Sequence, residues 1–277
     1  MQTINLNTWT EFEERVAQLH AVREQRLKET GSYISEYLFR GQPNGTWRLE
    51  TTLERYTRNY SIPVVDYYRI VCASLGHVTS ITDREWKIPE YGDYVNDLAS
   101  SGLMPPGELP ASEYFAYLRH HGFPSPLLDW SRSPYVAAYF AFREHQAQPE
   151  RVAIYAYCEY TQGHKGGSAS NPGIKGFGVS ARTHPRHFQQ QSQYTICTVF
   201  DGDIRFARHD DVFDANDPDQ DELTKLTLPG SERPTALQRL EYANVNAYSL
   251  FGSEESLLET IAMRQLYFCK RKEMNIR

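Results

Sequence analysis

The order of its elements constrains this chain most: helical and strand-like stretches alternate, but the strands are short and lack the regular spacing of βαβ units. Residues 8–28 read as a helix, because Thr8 and Glu11 have capping-box spacing and Trp9, Phe12, Val16, Leu19 and Val22 recur at helical period. Residues 37–40 read as a short strand ended by Gly41 and a polar turn over 42–46. A second helix begins near Val64, with Val64, Tyr68, Val71 and Leu75 on one face, and a third spans 112–120. Ser133 is a good N-cap and Pro134 fits the first helical position, so a fourth helix runs to about Glu144. Residues 151–160 alternate as a strand, and 194–200 form another. A helix over 234–243, a strand over 247–251 and a helix from Ser253 with Leu257, Leu258 and Ile261 on its apolar face complete the pattern. The expected class is α+β, not a doubly wound sheet.

Three stretches read as loops. Pro105, Pro106 and Gly107 mark one, and residues 161–180, rich in Gly, Ser and Lys, form a long one of the kind used as lids or binding loops. Residues 210–222 are acidic. Asp214 and Asn216 have calcium-loop spacing, but Pro218 takes the next ligand position and no glycine supplies the turn, so a solvated loop is expected.

With 277 residues, the chain is long enough for one large domain or two small ones, and a single domain is expected. The expected division is an N-terminal helix within 1–32, a core over 33–262 and a basic tail over 263–277. A net charge of −6 gives none of the overall basic excess that duplex binding needs; the one basic run is the tail, with Lys270, Arg271 and Lys272. Cys72, Cys158, Cys197 and Cys269 are far apart and form no C-x-x-C pair, which points to thiols in a reducing compartment and to no metal site. The opening residues are polar, and no apolar run approaches the roughly 20 residues that cross a bilayer, so a cytoplasmic protein without membrane contact is expected.

Two places concentrate chemistry. Arg40 ends an apolar strand, where a guanidinium needs an anion, either an internal carboxylate or a ligand phosphate. Gly41 behind it admits close approach of another backbone or a ligand. The second place is the run from Arg119 to Ser131, with His120, His121, Asp129, Trp130 and Ser131 among turn-forming Gly122, Pro124 and Pro126. Asp129 and Ser131 precede a helix N-terminus, which favours either a carboxylate or a phosphate. The alternative is an elaborate cap with a core tryptophan.

Phe39-Arg40-Gly41 resembles the motif of the FRG domain family. The run from His120 through Leu127-Leu128-Asp129-Trp130-Ser131 and Pro134 to Ala141 is similar to that family's longest block. Pro185-Arg186 with Gln190 and Tyr194-Thr195 resembles a third block, and Ser249-Leu250-Phe251 with Glu255 and Leu257 a fourth. Pro126, Ser192 and Gly252 depart from the pattern, where arginine, glycine and proline are usual; the first departure removes a charge from the cleft.

The resemblance implies a split β-sheet, ADP-ribosyltransferase-like core around an NAD cleft, with NAD as substrate and no metal. By that analogy Arg40, Gly41, Gln42, Asp129, Trp130, Ser131 and Tyr139 hold NAD. Trp130 or Tyr139 packs on the nicotinamide, His120 assists as base, and Glu255, or Glu254 if the register slips, is the late acid. It further implies an RNA or protein acceptor, and a toxin of a toxin–antitoxin or phage-defence system with an antitoxin partner. Two other classes stay open: a nucleotide-sensing module without chemistry, and an RNA-cleaving enzyme using His120 and His121.

Overall fold

The computed structural model describes residues 1–82, 84–100, 110–144, 150–168, 170–177, 185–215 and 220–268. The Pro105–Gly107 loop, the basic tail beyond residue 268 with Cys269, and parts of the 161–180 and 210–222 stretches lie outside these residues.

In chain order the elements are β1 (Gln2–Asn5), α1 (Trp9–Thr30), β2 (Leu38–Gln42), α2 (Thr52–Thr57), α3 (Val64–Thr82), α4 (Tyr91–Ser100), α5 (Ser112–His120) and β3 (Leu128–Ser131). They continue with α6 (Pro134–Phe142), β4 (Arg151–Tyr160), β5 (Gly173–Phe177), α7 (Pro185–Gln189), β6 (Ser192–Asp201), β7 (Asp203–Phe206), α8 (His209–Ala215) and β8 (Gln220–Pro229). The last helices are α9 (Arg233–Tyr242), α10 (Ala247–Phe251) and α11 (Glu254–Ala262).

The strands form one mixed sheet in the order β1-β8-β4-β2-β3-β6-β5, with β7 hairpinned onto β6. Every pairing is antiparallel except β1 with β8. The middle of the sheet is its weak point: β2 and β3 meet at a single register pair, Phe39 with Ser131. To one side β2 pairs with β4 over five positions, and to the other β3 pairs with β6 over four. The sheet is therefore two halves joined by a seam.

Alternation along the strands sorts the core by face. Val152, Ile154, Ala156 and Cys158 of β4 pack with Trp9, Phe12, Phe39, Ala137 and Leu237 in a layer built by α1, α6 and α9. Leu127, Tyr194 and Ile196 pack with Tyr67, Tyr68, Tyr94 and Phe115 in a layer built by α3, α4 and α5. The intervening residues of both half-sheets, Trp130, Tyr155, Tyr157 and Cys197 among them, share one cluster with Phe213 of α8. Two helical layers thus cover the two half-sheets, with the seam between them.

Several sequence expectations need correction. Thr8 caps α1 by accepting from Glu11 N, but the Glu11 carboxylate returns to Asn7 N rather than Thr8, and Val22 is exposed. Gly41 and Gln42 continue β2 by pairing with Ile154 and Ala153 instead of ending it. The 161–180 stretch contains β5, paired with β6, and the acidic stretch contains α8 and the start of β8. Residues 247–251 are α10, nucleated by an Asn246–Ser249 capping box, not a strand. On α11 the buried residues are Ser256 and Thr260, while Leu257, Leu258 and Ile261 are exposed.

Candidate functional site

Where backbone pairing stops at the seam, side chains take over. Arg40 Nη1 donates to the Asp129 carbonyl across the gap at 2.7 Å, with the Asp129 carboxylate 3.8 Å away. Arg119, at the end of α5, donates to that carboxylate at 2.5 Å. Two guanidinium groups therefore share one carboxylate. Arg40 is only 12% exposed, and burial, reinforced by Arg119 and Arg55 and opposed by Asp129, pulls its pKa down to about 10, so it stays cationic at neutral pH. The Nε of Arg40 and the Nε of Arg119 are buried without an acceptor, and orphaned donors of this kind are costly unless something supplies one.

A cleft of about 350 Å³ opens over this seam. Arg40, Asp129 and Ser131 lie along its floor, Arg119 and His120 come from α5, and Ala137 and Phe140 come from α6. Arg186, Gln190 and Phe251 also line it, with Glu144 just past the end of α6. Three arginines stand against two carboxylates, Asp129 and Glu144, in that lining.

Gly41 is explained by a neighbouring backbone. A Cβ there would sit 1.9 Å from the Ala137 carbonyl oxygen and 2.7 Å from Ala141 N, so its absence lets α6 lie directly on β2. Ser131 acts as a clip: its hydroxyl donates to Gln190 O at 2.8 Å and accepts from Ser133 N at 3.0 Å. Ser133 then caps Val136 N, so hydroxyls of the chain serve the α6 N-terminus while Asp129 serves the arginines.

Of the sequence-predicted site residues, Trp130 is in the cleft lining, while Tyr139, Gln42 and Glu255 lie outside it. The Trp130 indole also packs into the core cluster shared by the two half-sheets, its Nε1 donating to Thr195 Oγ1 at 2.8 Å. Tyr139 points away from the cleft and bonds Glu259, because α6 turns Ala137 and Phe140 inward instead. Gln42 is buried and donates to Arg48 O. Glu255 is exposed in the first turn of α11 and outside the lining; its carboxyl is held below the usual range by Ser253, by its own backbone N–H and by the positive charge of Arg186. Glu254 is exposed in the same turn.

The two histidines diverge. His120 lines the cleft, whereas His121 is exposed with its ring 4.4 Å from Tyr117. Among the departures, Pro126 lies outside the cleft lining, Ser192 is within it, and Gly252 ends α10 at φ +63, which glycine adopts freely.

Sequence reasoning gave no role to Arg119, Phe140, Arg186 or Phe251. Phe251 lies between the Arg143 and Arg186 guanidinium groups, at 4.5 and 5.5 Å, and edge-on to Phe140. Its signal was its place beside Arg186 and Gln190 in the later motif blocks. Among the described residues no group of His, Cys, Asp and Glu is arranged to hold a metal, and no helix is long and apolar enough to cross a membrane.

Residues 35–150 match the model of the FRG domain. The match takes in Arg40, the Arg119–Ser131 run and α6, and ends before β4, leaving Arg186, Gln190 and Phe251 outside it. No curated protein and no solved structure matches the chain.

Proposed function

Since the region matching the FRG domain supplies most of this seam cleft, we propose that the protein is an ADP-ribosyltransferase using NAD as substrate, with the two half-sheets as a split-sheet core of the ADP-ribosyltransferase type. One observation carries the reading: a cleft lined by three guanidinium groups against two carboxylates, in which two buried Nε donors lack acceptors. A pyrophosphate supplies such acceptors. Phe140 and Phe251 offer the apolar faces for a nicotinamide ring, in place of Trp130 and Tyr139.

When bound, NAD supplies a ribosyl carbon made electrophilic by loss of nicotinamide. Arg40 and Arg119 hold the phosphates, and Asp129 fixes both guanidinium groups. A carboxylate must face the positive charge that develops on the ribose. Glu144, in the lining, and Glu255, outside it but within reach of the charge of Arg186, are the two candidates for it. The acceptor is an RNA or a protein, and a transferase acting on its own cell implies a toxin restrained by an inhibitory partner.

The test is incubation with NAD labelled in its ADP-ribosyl part, with and without RNA or cell lysate, measuring nicotinamide release and label transfer. Arg40→Ala is expected to reduce both by about 10²–10³-fold, with Glu144→Gln and Glu255→Gln identifying the acid. Absence of release under every condition, with saturable nucleotide binding, would mark a sensing module instead. Release unchanged in Arg40→Ala would overturn the assignment.

A further inference from the structure

Behind the cleft wall, three titratable rings are joined in line. His120 Nε2 lies 2.6 Å from the Tyr194 hydroxyl, and that hydroxyl lies 3.3 Å from His187 Nδ1. Tyr194 is fully buried at the β6 position that pairs with Asp129, while His187 sits on the short α7, partly exposed. One end of the chain of rings lines the cleft and the other approaches the surface.

A phenol has one proton. Ser192 is a further hydrogen-bond partner of the Tyr194 side chain, and the relay state is the one in which the hydroxyl donates to one imidazole and accepts from the other. In that state the two facing nitrogens differ: one carries hydrogen and the other is bare. Burial, with the nearby Asp129 charge, pushes the Tyr194 phenol well above its ordinary pKa, so it keeps its proton across the physiological range. These are the requirements of a relay rather than of a charged pair.

From this geometry we infer that His120, Tyr194 and His187 form a proton relay leading out of the cleft. Resting on the transferase reading above, the relay suits an acceptor that must lose a proton, such as a hydroxyl, and not a carboxylate. In the transfer, the C1′–N bond of the nicotinamide riboside breaks and its electron pair stays on the nicotinamide nitrogen. A lone pair of the acceptor oxygen forms the new C1′–O bond. The acceptor proton goes to the His120 ring, the Nε2 proton passes to the Tyr194 oxygen, and the Tyr194 proton passes to His187 Nδ1. A carboxylate acceptor, ionised at neutral pH, has no proton to give and no use for the relay. His120 is the base, and Tyr194 and His187 are positioning residues. The other charges bearing on the relay are Arg119 from α5 and Asp129 from β3, and Arg186 from α7 shares the cleft lining with His120.

The first arm needs no ligand. Imidazole ¹⁵N shifts of the wild-type protein should show that one of His120 Nε2 and His187 Nδ1 is protonated and the other bare in the neutral state. The titration of His187 should move in His120→Gln, and that movement should disappear in a Tyr194→Phe background. If Tyr194→Phe does not fold, the wild-type shifts and the reciprocal titration of His120 in His187→Gln decide the matter. Two like nitrogens, or a His187 titration indifferent to His120, overturn the relay whatever the protein does with NAD.

The second arm treats transferred label with neutral hydroxylamine, which cleaves esters to carboxylates but not bonds to hydroxyl oxygen, on both protein and RNA fractions. Label that survives, with transfer reduced about 10²-fold in His120→Gln and less in His187→Gln, and partly restored at higher pH, supports the acceptor class and separates its two sources. Hydroxylamine-labile label overturns the acceptor class. A relay present without nicotinamide release leaves the relay standing and removes the transferase reading together with its acceptor.

Discussion

Gly41→Ala separates the two explanations of the glycine in Phe39-Arg40-Gly41. The added methyl would meet the Ala137 carbonyl oxygen at 1.9 Å, Ala141 N at 2.7 Å and the Ala137 carbonyl carbon at 2.9 Å. All three are backbone atoms of one helix, so no side-chain rotation relieves the clash. Restoring even the 3.0 Å that Cβ contacts respect requires α6 to move off β2 by more than about 1 Å. Overpacking a close-packed core costs about 1–3 kcal/mol and occasionally more, and this contact belongs at the upper end. At roughly 2–4 °C per kcal/mol for a chain of this size, the melting temperature should fall by roughly 6–12 °C. Gly252→Ala is the control: its neighbour is the flexible end of Gln189 at 3.3 Å, and the φ of +63 costs an alanine only about 1–2 kcal/mol. Thermal and urea unfolding of both variants, without added nucleotide, provide the comparison. If Gly41→Ala melted within about 1 °C of wild type, α6 would be free to give way. The glycine would then have to be explained by a ligand.

Asp129→Asn leaves Arg40 and Arg119 facing each other with no counter-ion between them. The carboxylate is 34% exposed, so the loss expected in urea unfolding is about 1–3 kcal/mol, less than for a fully buried pair. His209, fully buried against Thr195, has its pKa pulled down to about 3 by burial and by the charge of Arg40. The unfolded chain binds this proton below about pH 6.5 and the folded chain does not until about pH 3, so stability falls as pH drops through that window. His209→Gln should remove up to about 1.4 kcal/mol per pH unit from that slope; an unchanged slope in acid titrations of unfolding would refute it. Glu259 is held below the usual carboxylate range by Arg143, so its contribution is present above about pH 4.3 and lost as pH falls through its folded value. Glu259→Gln should flatten the acid limb there by a fraction of a kcal/mol, since the pair is about one-third exposed.

Elements carrying their own local signals were legible in the sequence. Helix α6 behind Ser133-Pro134 and β4 over 151–160 lie where capping and alternation put them, and α5 occupies the expected 112–120. Elements that exist through distant pairing were not. β1 is a strand because it pairs with β8, more than 200 residues away, and β8 is one because it lies between β1 and β4. The Leu257, Leu258 and Ile261 stripe misled for a related reason: α11 is seated by hydroxyls, with Thr260 Oγ1 accepting from Tyr248 N and Ser256 closing the Ser253 cap. In the site, residue types were legible but orientation was not. Helical period alone does not say whether Tyr139 or Phe140 faces the cleft; Gly41 does, by bringing the Ala137 face of α6 down on β2.

The seam ties these observations together. A continuous ladder would satisfy the backbone of β2 and β3 and leave no opening, but their pairing is confined to Phe39 and Ser131. The Asp129 carbonyl beyond that pair needs a donor, and Arg40 provides it across the gap. Bringing a guanidinium there requires a counter-charge, which Asp129 gives, and Asp129 then draws in Arg119 from the second helical layer. Each half of the sheet thus contributes one partner to a cluster that carries one more positive than negative charge. Phe39 anchors the first layer, Arg40 bridges the seam and Gly41 seats α6 on its rim, three consecutive residues with three separate tasks. A chain selected only for stability would close this seam with more ladder bonds, because a guanidinium pair around one carboxylate is a weak substitute for them. The open seam with two orphaned Nε donors is the observation on which the proposed anion site rests.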